Sequence, residues 1–554
     1  MFGCAGRSGR RRMGTAGRRG GVAARRRTGT GAPPARLRPR AVRPNNSTDP
    51  EQRGARMTSP QSPAPEEFDV IVIGAGPTGE NVADRTAAAG LRTVIVESEL
   101  VGGECSYWAC MPSKALLRPV AALADARAVA GSREAVGGRA LDAAAVLARR
   151  DSFASHWQDD GQVRWLRDTG IELARGHGRL AGERQVTVES EDGGERLLVA
   201  RHAVAICTGS RPVLPRDVAG LADARPWTNR EATGAPAVPR RLAVVGGGVV
   251  GVELATAWRA LGSEVVLLVR GSALLPRTEP FAGELVADGL RDLGVDLRFG
   301  TEVTALERRS VDGADRTDGA DPADGPSEVT LTLGDGGRLT VDEVLYATGR
   351  APRTADVGLE QVGLHPGNWL DVDDSCTVLG VDGTWLYAAG DVNHRALLTH
   401  QGKYQARITG AAIVARAQAR PLDTERWGAH AASADSAGAP QVVFTQPEVA
   451  AVGLTLDAAE RAGLRVKAID HDLGAVAGAS LYGDEYRGRA RVVFDLDREV
   501  LVGATFVGPG VSELLHSATI AVVGEVPIDR LWHAVPAYPT ISEVWLRLLE
   551  GCRG

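Results

Sequence analysis

The stretch that decides the fold is "FDVIVIGAGPTGENVADRTAAAGLRTVIVESE", residues 68–99. Its opening apolar run is typical of a buried strand, and the glycines that come next indicate a tight turn. A helix-forming stretch and a second apolar run, "TVIVE", follow the turn. The whole unit is about thirty residues long, the size of a strand–helix–strand unit. The sequence therefore predicts an α/β fold.

The turn after the first strand carries a G-x-G-x-x-G pattern made of Gly74, Gly76 and Gly79. Such glycines permit the turn, let a pyrophosphate approach the backbone and allow close helix–strand packing, while the helix N-terminus supplies N–H groups. Glu97 ends the second strand, where a carboxylate can accept a ribose hydroxyl. An incidental glycine turn is the alternative. Strand, turn, helix and acid together favour a dinucleotide site.

A second unit repeats this plan in "RLAVVGGGVVGVELATAWRALGSEVVLLVR", residues 241–270. Its glycines are Gly246, Gly248 and Gly251. At the end of its second strand stands Arg270 in place of an acid, and Arg277 comes seven positions later. Because arginine suits a 2′-phosphate and a carboxylate suits a 2′-hydroxyl, we expect NADPH to be preferred over NADH. The alternative is that Arg270 is a solvated strand end.

The composition is that of an ordinary globular protein, with 554 residues, 44% of them hydrophobic and 24% charged. No apolar run is long enough to span a bilayer, so we expect no transmembrane segment. Six cysteines in so long a chain are too few for a disulfide scaffold and favour a reducing, cytoplasmic location.

Residues 1–56 are unlike the rest, because they hold fifteen arginines and only two acidic residues. Rich in Gly and Ala and without apolar periodicity, this head is predicted to be disordered. We favour a translational start at Met57 over a nucleic-acid-binding tail, and we expect no nucleic-acid partner. The acidic, Gly/Pro-rich stretch 310–328 is predicted to be an exposed loop insertion.

The stretch "GGECSYWACMPSK", residues 102–114, places Cys105 and Cys110 five positions apart. No second close Cys/His pair completes a zinc site, and Ser113 occupies the third position of a plant-type iron–sulfur pattern, so we expect no metal. A regular helix holds positions i and i+5 about 140° apart with a rise of about 7.5 Å. The pair can therefore bridge only where the helix is distorted. A redox disulfide is favoured over two unbridged structural cysteines.

Taken together, these stretches resemble the class I pyridine nucleotide-disulfide oxidoreductases, the family of dihydrolipoamide dehydrogenase, glutathione reductase and mercuric reductase. The resemblance covers about residues 66–550. The matching motifs are "GAGPTGE" (74–80), "GGECSYWACMPSK" (102–114), "AICTGSRP" (205–212), "GGGVVGVELA" (246–255), "YATGRAPRT" (346–354), "LYAAGDV" (386–392) and "VVFTQPEVAAVGLT" (442–455).

The resemblance implies two Rossmann-like domains, one for FAD and one for NAD(P), and a C-terminal α+β dimer-interface domain. It also implies a homodimer that reduces a small-molecule electron acceptor. The expected boundaries are a head at 1–65, the first part of the FAD domain at 66–213, the NAD(P) domain at 214–351, the second part of the FAD or central domain at 352–427, a linker at 428–440 and the interface domain at 441–554.

By the same resemblance, Cys110 would be the sulfur beside the flavin and Cys105 the thiol that meets the acceptor. Lys114 would pair with Glu253 beside flavin N5. The alternative makes both of them ordinary surface charges. The remaining residues implied to contact the cofactors are Gly178, Thr208, Gly209, Ser210, Gly349, Gly390 and Asp391.

The chain departs from the thiol-handling members of the family in its last motif. They end in H-P-T-x-S-E, whose histidine acts across the dimer as a base and whose glutamate orients it. Here the stretch is "YPTISE", with Tyr538 at the histidine position and Glu543 at the glutamate. A phenol has a reference pKa of about 10 and is a poor base at neutral pH. His533 is close by, but its spacing to Glu543 differs by five residues.

This departure leaves the final acceptor open between a small disulfide, a metal ion and a quinone-like compound. Dihydrolipoamide dehydrogenase or mercuric reductase proper is the alternative. The mercuric reductases also have tyrosine at this position, but they carry adjacent C-terminal cysteines, where this chain has only Cys552. A flavin-bound redox sensor or assembly component with little turnover is an alternative of another class.

Overall fold

The computed structural model describes residues 65–310 and 327–553. The predictions made for the arginine-rich head and for most of the loop at 310–328 lie outside the described residues. The loop's two ends are described, however, and they are adjacent, because Ser310 pairs with Ser327 in an antiparallel ladder.

The first segment of the chain begins with the predicted strand–helix–strand unit. Its elements are β1 Glu66–Ile73, α1 Pro77–Ala88, β2 Thr93–Glu97, α2 Gly103–Tyr107, α3 Cys110–Ala128, α4 Ser132–Val136, α5 Ala143–Phe153, α6 Asp160–Asp168, β3 Glu172–Arg175, β4 His177–Gly182, β5 Gln185–Glu189, β6 Glu195–Ile206, β7 Ser210–Pro212, α7 Leu221–Ala224 and α8 Asn229–Gly234.

These strands form a mixed sheet in the order β3-β2-β1-β6-β5-β4. Strands β1, β2, β3 and β6 run parallel to one another, whereas β4 and β5 are antiparallel additions at one edge. The central strand β1 is buried on both faces, which explains why its sequence is a continuous apolar run and does not alternate.

The second segment repeats the parallel architecture on a smaller scale. Its elements are β8 Arg241–Val245, α9 Val249–Ala260, β9 Glu264–Val269, α10 Pro280–Asp292, β10 Asp296–Phe299, β11 Val303–Ser310, β12 Ser327–Leu333, β13 Arg338–Val341 and β14 Glu343–Tyr346. A parallel sheet has the order β10-β9-β8-β14, and an antiparallel sheet has the order β11-β12-β13.

The third segment returns to the first sheet. It contains β15 Arg350–Pro352, β16 Leu386–Ala388, α11 Thr399–Ala417 and α12 Ala434–Ala437. Strand β15 pairs with β7, and β16 pairs in parallel with β6, so the first sheet has seven strands drawn from two separate parts of the chain. The segment 428–440, which we expected to be a linker, includes α12 and the buried Asp435.

The last segment is a separate α+β unit. Its elements are β17 Gln441–Val443, β18 Glu448–Gly453, α13 Leu456–Arg461, β19 Val466–Asp472, α14 Ala477–Tyr482, β20 Arg489–Asp495, β21 Val500–Gly508, α15 Leu515–Val523, α16 Ile528–Leu531 and α17 Val544–Arg553. Its antiparallel sheet has the order β17-β18-β21-β20-β19, and α15 and α17 pack on it around a core that includes Phe506 and Trp545.

None of the helices in the described part of the chain is long and apolar enough to cross a membrane.

Candidate functional site

The first glycine turn has a backbone that other residues cannot adopt without displacement. Gly74 has φ +100°, and a Cβ placed there would lie 2.6 Å from the carbonyl oxygen of Cys207. At Gly79 a Cβ would lie 1.9 Å from the carbonyl oxygen of Gly74, which shows how closely α1 begins above β1. Gly76 is the N-cap of α1, so the helix opens directly at the turn. The geometry is that of a pyrophosphate cradle.

Glu97 lies at the C-terminal end of β2, beside this cradle. Its Oε2 accepts a hydrogen bond from the Ala75 N–H at 2.7 Å, and its Oε1 accepts one from the Glu99 N–H at 2.7 Å. Burial raises the pKa of Glu97, and these two hydrogen bonds oppose that rise. The carboxylate thus braces the turn and borders the same cleft, where a ribose hydroxyl would reach it.

One large cleft, of about 1280 Å³, runs from the first cradle to the cysteine pair and on to the second cradle. The predicted FAD-facing residues that line it are Gly74, Gly76, Glu97, Gly178, Thr208, Gly209, Ser210 and Asp391. Thr208 Oγ1 is buried and finds no hydrogen-bond partner among the described residues. A polar atom left unpaired beside a cleft indicates a ligand group that completes it, so these residues fit FAD.

Asp391 is held in place by a short chain of polar contacts. Ser210 Oγ donates to Asp391 Oδ2 at 2.5 Å, and Arg350 Nε donates to Ser210 Oγ at 2.6 Å. Burial raises the pKa of Asp391, and the hydrogen bond from Ser210 lowers it. Gly390 precedes it at φ +82°, with its N–H bonded to Gln405 Oε1 at 2.7 Å. This carboxylate is therefore rigidly aimed into the cleft.

The second glycine turn reproduces the first. Gly246 has φ +119°, with a Cβ position 2.4 Å from the Ala347 carbonyl oxygen, and the Cβ position of Gly251 lies 1.9 Å from the Gly246 carbonyl oxygen. Gly248 is the N-cap of α9, lines the cleft and has open space where its Cβ would be. A side chain introduced at Gly248 would therefore point into the open cleft, where a ligand would lie.

The arginines after this second turn differ in position. Arg270 comes directly after the last residue of β9 and is exposed, whereas Arg277 lines the cleft together with Gly349. Neither arginine forms an ion pair within the described ranges, whose gap is 311–326. The Arg277 cation is therefore available to an anionic ligand in the cleft, while Arg270 lies at the exposed end of β9.

The two cysteines lie on different helices. Cys105 is in α2, Cys110 is the first residue of α3, and Trp108 and Ala109 between them have non-helical dihedral angles. The distortion that a bridge requires is therefore confirmed. Both thiols are free and partly exposed, and both border the cleft.

The two thiols have pKa values shifted in opposite directions. A hydrogen bond with Cys105 lowers the pKa of Cys110 to about 6, with further lowering by Thr399 and the Lys114 charge. The Cys110 Sγ lies 3.3 Å from Thr399 Oγ1. The same thiol–thiol hydrogen bond, together with burial, raises the pKa of Cys105. These shifts favour the thiolate at Cys110 and the protonated thiol at Cys105 when the pair is reduced.

Lys114 and Glu253 form an ion pair between α3 and α9, with Nζ 2.7 Å from Oε2. The other oxygen of Glu253 accepts the Phe444 N–H at 3.0 Å, and the Lys114 ammonium lies 5.2 Å from the centre of the Phe444 ring. Burial opposes the ammonium charge, but the Glu253 carboxylate raises the pKa of Lys114 overall. The alternative of two surface charges does not fit a Glu253 side chain that is 4% exposed.

Tyr538 and Glu543 lie apart from the cleft of their own chain. The Tyr538 side chain is 76% exposed, and it comes after α16 on the surface of the last unit. Glu543 is mostly buried, with Oε1 3.6 Å from Arg547 Nη2 and with Oε2 unpartnered among the described residues. His533 is exposed. None of these three side chains lines the cleft that Cys105 borders.

Two residues of the site were missed by the sequence analysis, Thr399 and Phe444. Thr399 is the first residue of α11 and contacts a cysteine 289 positions earlier, while the Phe444 N–H bonds a carboxylate 191 positions earlier. Neither residue carries a chemical signal of its own, because a threonine at a helix start and a phenylalanine in a strand-like run are common.

Comparisons with known proteins agree with this geometry. The family model for pyridine nucleotide-disulphide oxidoreductases matches residues 68–419, and the model for their dimerisation domain matches residues 439–548. Dihydrolipoyl dehydrogenase 3 of Pseudomonas aeruginosa is 32% identical over 86% of this chain and 96% of its own length. The dihydrolipoyl dehydrogenase of Chlamydia muridarum is 28% identical over 87% of this chain and 96% of its own.

Solved structures show the same fold. The HOCl-induced flavoprotein disulfide reductase RclA of Escherichia coli, in its Cu(II) complex, has a TM-score of 0.71 at 22% identity, covering 88% of this chain and 99% of its own. LpdA of Mycobacterium tuberculosis also has a TM-score of 0.71, at 24% identity, covering 87% and 99%. With two glycine cradles, a cysteine pair and an ion pair on one cleft, the chain belongs to the pyridine nucleotide-disulphide oxidoreductases, a family of FAD-dependent enzymes that bind NAD(P).

Proposed function

We propose that this enzyme uses NADPH to reduce a disulfide between Cys105 and Cys110 and passes the electrons on to a small acceptor. The observation that carries this proposal is the single cleft, which both cysteines, Lys114 and Glu253 border together with the two glycine cradles. One hydride and one proton open the S–S bond to two thiols, and NADP⁺ leaves. Bound FAD would carry the electron pair between the nicotinamide and the disulfide.

Each residue of the centre has a distinct role in this proposal. Cys110 is assigned as the flavin-side sulfur by its match to the family motif, and its pKa, lowered to about 6, favours a thiolate at neutral pH. Lys114 holds positive charge beside it, and Glu253 fixes the position of Lys114. Cys105 keeps its proton and meets the acceptor, so its attack requires that some group takes this proton.

The preference for NADPH is supported by Arg270 and Arg277. A 2′-phosphate brings about two negative charges, and arginine binds such groups bidentately. Arg277 borders the cleft, Arg270 comes directly after β9, and neither has a carboxylate partner in the described part of the chain. An NADH-specific site would instead present an acid at the end of β9.

We further propose a homodimer in which Tyr538 and Glu543 reach Cys105 of a second copy. The matched dimerisation domain supports this assembly. The same unit exposes large apolar side chains, with Ile520 at 57% and Val535 at 86% exposure. A two-fold interface would bury such a surface and bring the same residues to both sites. The six cysteines of the chain support a reducing, cytoplasmic location.

The acceptor is proposed to be a small disulfide, a metal ion or a quinone-like compound. Relatives named dihydrolipoyl dehydrogenase make dihydrolipoamide oxidation the second candidate. That reaction needs a base for the thiols of the substrate, and the motif that supplies histidine elsewhere supplies Tyr538 here. This difference weakens dihydrolipoamide oxidation, and it weakens reduction of a small disulfide as well, because that reaction needs the same proton transfer in reverse.

Anaerobic titration with NADPH and with NADH tests the proposal. We expect NADPH to expose two additional thiols per chain, trapped by alkylation at Cys105 and Cys110, with Cys552→Ser behaving as the unmodified enzyme. Failure of NADPH to expose these thiols would overturn the proposed function, whereas equal thiol yield with faster NADH reaction would overturn the nucleotide preference alone.

An acceptor screen with Cys105→Ser then separates the acceptor classes. Reduction of lipoamide or glutathione disulfide should require Cys105, whereas a quinone that accepts electrons directly from FAD should be reduced by the variant as well. Faster NAD⁺-dependent oxidation of dihydrolipoamide than reduction of any acceptor would favour dihydrolipoyl dehydrogenase proper.

A further inference from the structure

The chain between Cys105 and Cys110 is broken at one point. Helix α2 ends at Tyr107, Trp108 has φ −136° and ψ 4°, Ala109 has φ −137° and ψ −100°, and α3 begins at Cys110. A regular helix would hold the two cysteines about 140° apart around its axis. The break exists with both thiols free, so a disulfide does not impose it. Other contacts must therefore hold it.

The carbonyl groups released by this break are taken up by side chains from elsewhere. The Trp108 carbonyl accepts a hydrogen bond from Asn229 Nδ2 at 2.8 Å and another from Thr233 Oγ1 at 3.1 Å. The Tyr107 carbonyl accepts one from Trp157 Nε1 at 3.1 Å. Asn229 and Thr233 are 5% and 1% exposed, so water does not compete for these bonds.

Asn229 also reaches back to the first cysteine-bearing helix. Its Nδ2 donates to Glu104 Oε1 at 2.9 Å, one residue before Cys105. Over the same break, the Arg230 guanidinium stacks 4.1 Å from the centre of the Trp108 ring. Three side chains of the short helix α8 thus contact the peptide segment that separates the cysteines.

Helix α8 is itself anchored at both ends. Before it, Trp227 forms two backbone hydrogen bonds with β14, from its N–H to the Val344 carbonyl and from the Tyr346 N–H to its carbonyl, both at 2.8 Å. At its end, the buried Arg150 donates to the Thr233 carbonyl at 2.6 Å. The contacts on the break are therefore attached to the sheet of the second glycine cradle.

We propose that Asn229 and Thr233 are positioning residues that hold the break open between α2 and α3 and so keep Cys105 within bonding reach of Cys110. The inference rests on the proposed function, because it concerns the same disulfide. Without the two donors, the Trp108 carbonyl would be buried and unpaired, and the segment would relax toward a continuous helix that separates the thiols.

The equilibrium between this disulfide and dithiothreitol tests the proposal without nicotinamide. Reduced dithiothreitol supplies two electrons and two protons, the S–S bond opens to two thiols, and oxidised dithiothreitol is formed. The full-length enzyme with bound FAD is incubated with graded mixtures of the two forms, and the thiols are trapped by alkylation and counted. A disulfide held in poorer geometry is reduced more readily.

Thr233→Val removes one donor, and Asn229→Ala with Thr233→Val removes both. We expect the equilibrium constant for reduction to rise about threefold in the single variant and about tenfold in the double variant. The reason is that each lost hydrogen bond to the Trp108 carbonyl makes the break less stable. Thr233→Ser keeps the hydroxyl and should stay within twofold of the unmodified enzyme. Thr86→Val is the matched control, because Thr86 is equally buried and its hydroxyl also bonds helix carbonyls, away from the break.

Unchanged equilibria in Thr233→Val and in the double variant would overturn the proposal, and so would an equal shift in Thr86→Val. If the double variant does not fold, the comparison of Thr233→Val with Thr233→Ser tests the proposal by itself. Failure of the proposed function is a separate outcome. In that case the unmodified enzyme equilibrates with dithiothreitol but is not reduced by NADPH.

Discussion

The two glycine cradles have nearly the same backbone and bear different side chains. In both, the first glycine has a positive φ and the third approaches the carbonyl of the first so closely that a Cβ would lie 1.9 Å from it. At the end of the next strand, however, one has the half-buried Glu97 and the other the exposed Arg270. In the proposed function, the shared backbone would bind the pyrophosphate that all dinucleotides share, and the residue at the strand end would bind the group that distinguishes them.

The two cradles also differ in how each contributes to the redox centre. After the first cradle the chain continues into α2 and α3 with the cysteine pair, whereas the second cradle supplies Glu253 from its own helix α9. The Lys114–Glu253 ion pair joins the two units at the redox centre. The two similar units therefore differ in the side chains that they bring to the cysteine pair.

The strongest test of this comparison alters the third glycine of each cradle. Gly79→Ala and Gly251→Ala each force a Cβ onto a backbone oxygen, a clash that costs about 1–3 kcal/mol of folding stability and displaces the turn. We expect Gly79→Ala to lose bound FAD, measured by flavin absorbance per chain. Gly251→Ala should retain FAD and bind NADPH about a hundredfold more weakly.

Gly271→Ala is the control for both variants, because its Cβ would contact nothing within 4 Å and its φ is not positive. Loss of FAD in Gly251→Ala, or retention of it in Gly79→Ala, would contradict the assignment of one cradle to each nucleotide.

The next test reverses the side chain at the second strand end. Arg270→Glu replaces the cation that we propose binds the 2′-phosphate with an anion, and a charge-assisted hydrogen bond is worth about 1.5–3 kcal/mol. We expect the ratio of kcat/KM for NADPH over NADH to fall about 10- to 100-fold. Arg298→Glu, whose arginine already pairs with Asp296 on β10, should leave the ratio unchanged. An unaltered ratio in Arg270→Glu would assign the preference to another residue.

A smaller effect is expected from the ion pair that joins the units. In Glu253→Gln, Lys114 keeps its charge but loses the carboxylate, at a cost of about 1–2 kcal/mol because the lysine is partly solvated. We predict that NADPH-driven thiol formation slows about tenfold while FAD stays bound. Stopped-flow mixing and then rapid alkylation measure this rate. A rate equal to that of the unmodified enzyme would show that the Lys114–Glu253 ion pair does not contribute to electron transfer to the disulfide.

The smallest effect concerns the pH dependence of the thiols. Because the pKa of Cys110 is lowered to about 6, its reactive thiolate is present above pH 6 and is lost as the pH falls through that value. The pH dependence of iodoacetamide alkylation of the reduced enzyme should show this midpoint. Cys105→Ala removes the hydrogen bond that is the largest cause of the shift, so the midpoint should rise toward the ordinary thiol range. An unmoved midpoint would assign the shift to Lys114 and Thr399.

Much of the redox centre could be inferred from local patterns. Glycine spacing after an apolar run predicted both cradles, since a tight turn and close backbone approach leave no other residue type at Gly74 or Gly79. The five-residue spacing of the cysteines required a broken helix, and the break was found at Trp108 and Ala109. Each of these inferences depends on neighbours within a few positions along the chain.

The contacts that hold this centre could not be inferred in that way. The bonds of the Trp108 carbonyl to Asn229 and of Glu253 to the Phe444 N–H join positions 121 and 191 residues apart. Asparagine at the start of a short helix and phenylalanine directly after a strand are common for local reasons, so nothing in their surroundings marks them. Only the packing of four segments against one another brings them to the cysteines.

By itself, the sequence determined the α/β class, the two nucleotide cradles, the identity of the cysteine pair and the replacement of the expected histidine by Tyr538, because each is a short-range pattern of residue types. The tertiary structure decided which thiol has the lowered pKa, which side chains bond the carbonyl at the break between the cysteines, and that Tyr538 lies on an exposed surface away from its own cleft. Those properties depend on burial and on charges and donors brought from distant parts of the chain, which local sequence does not encode.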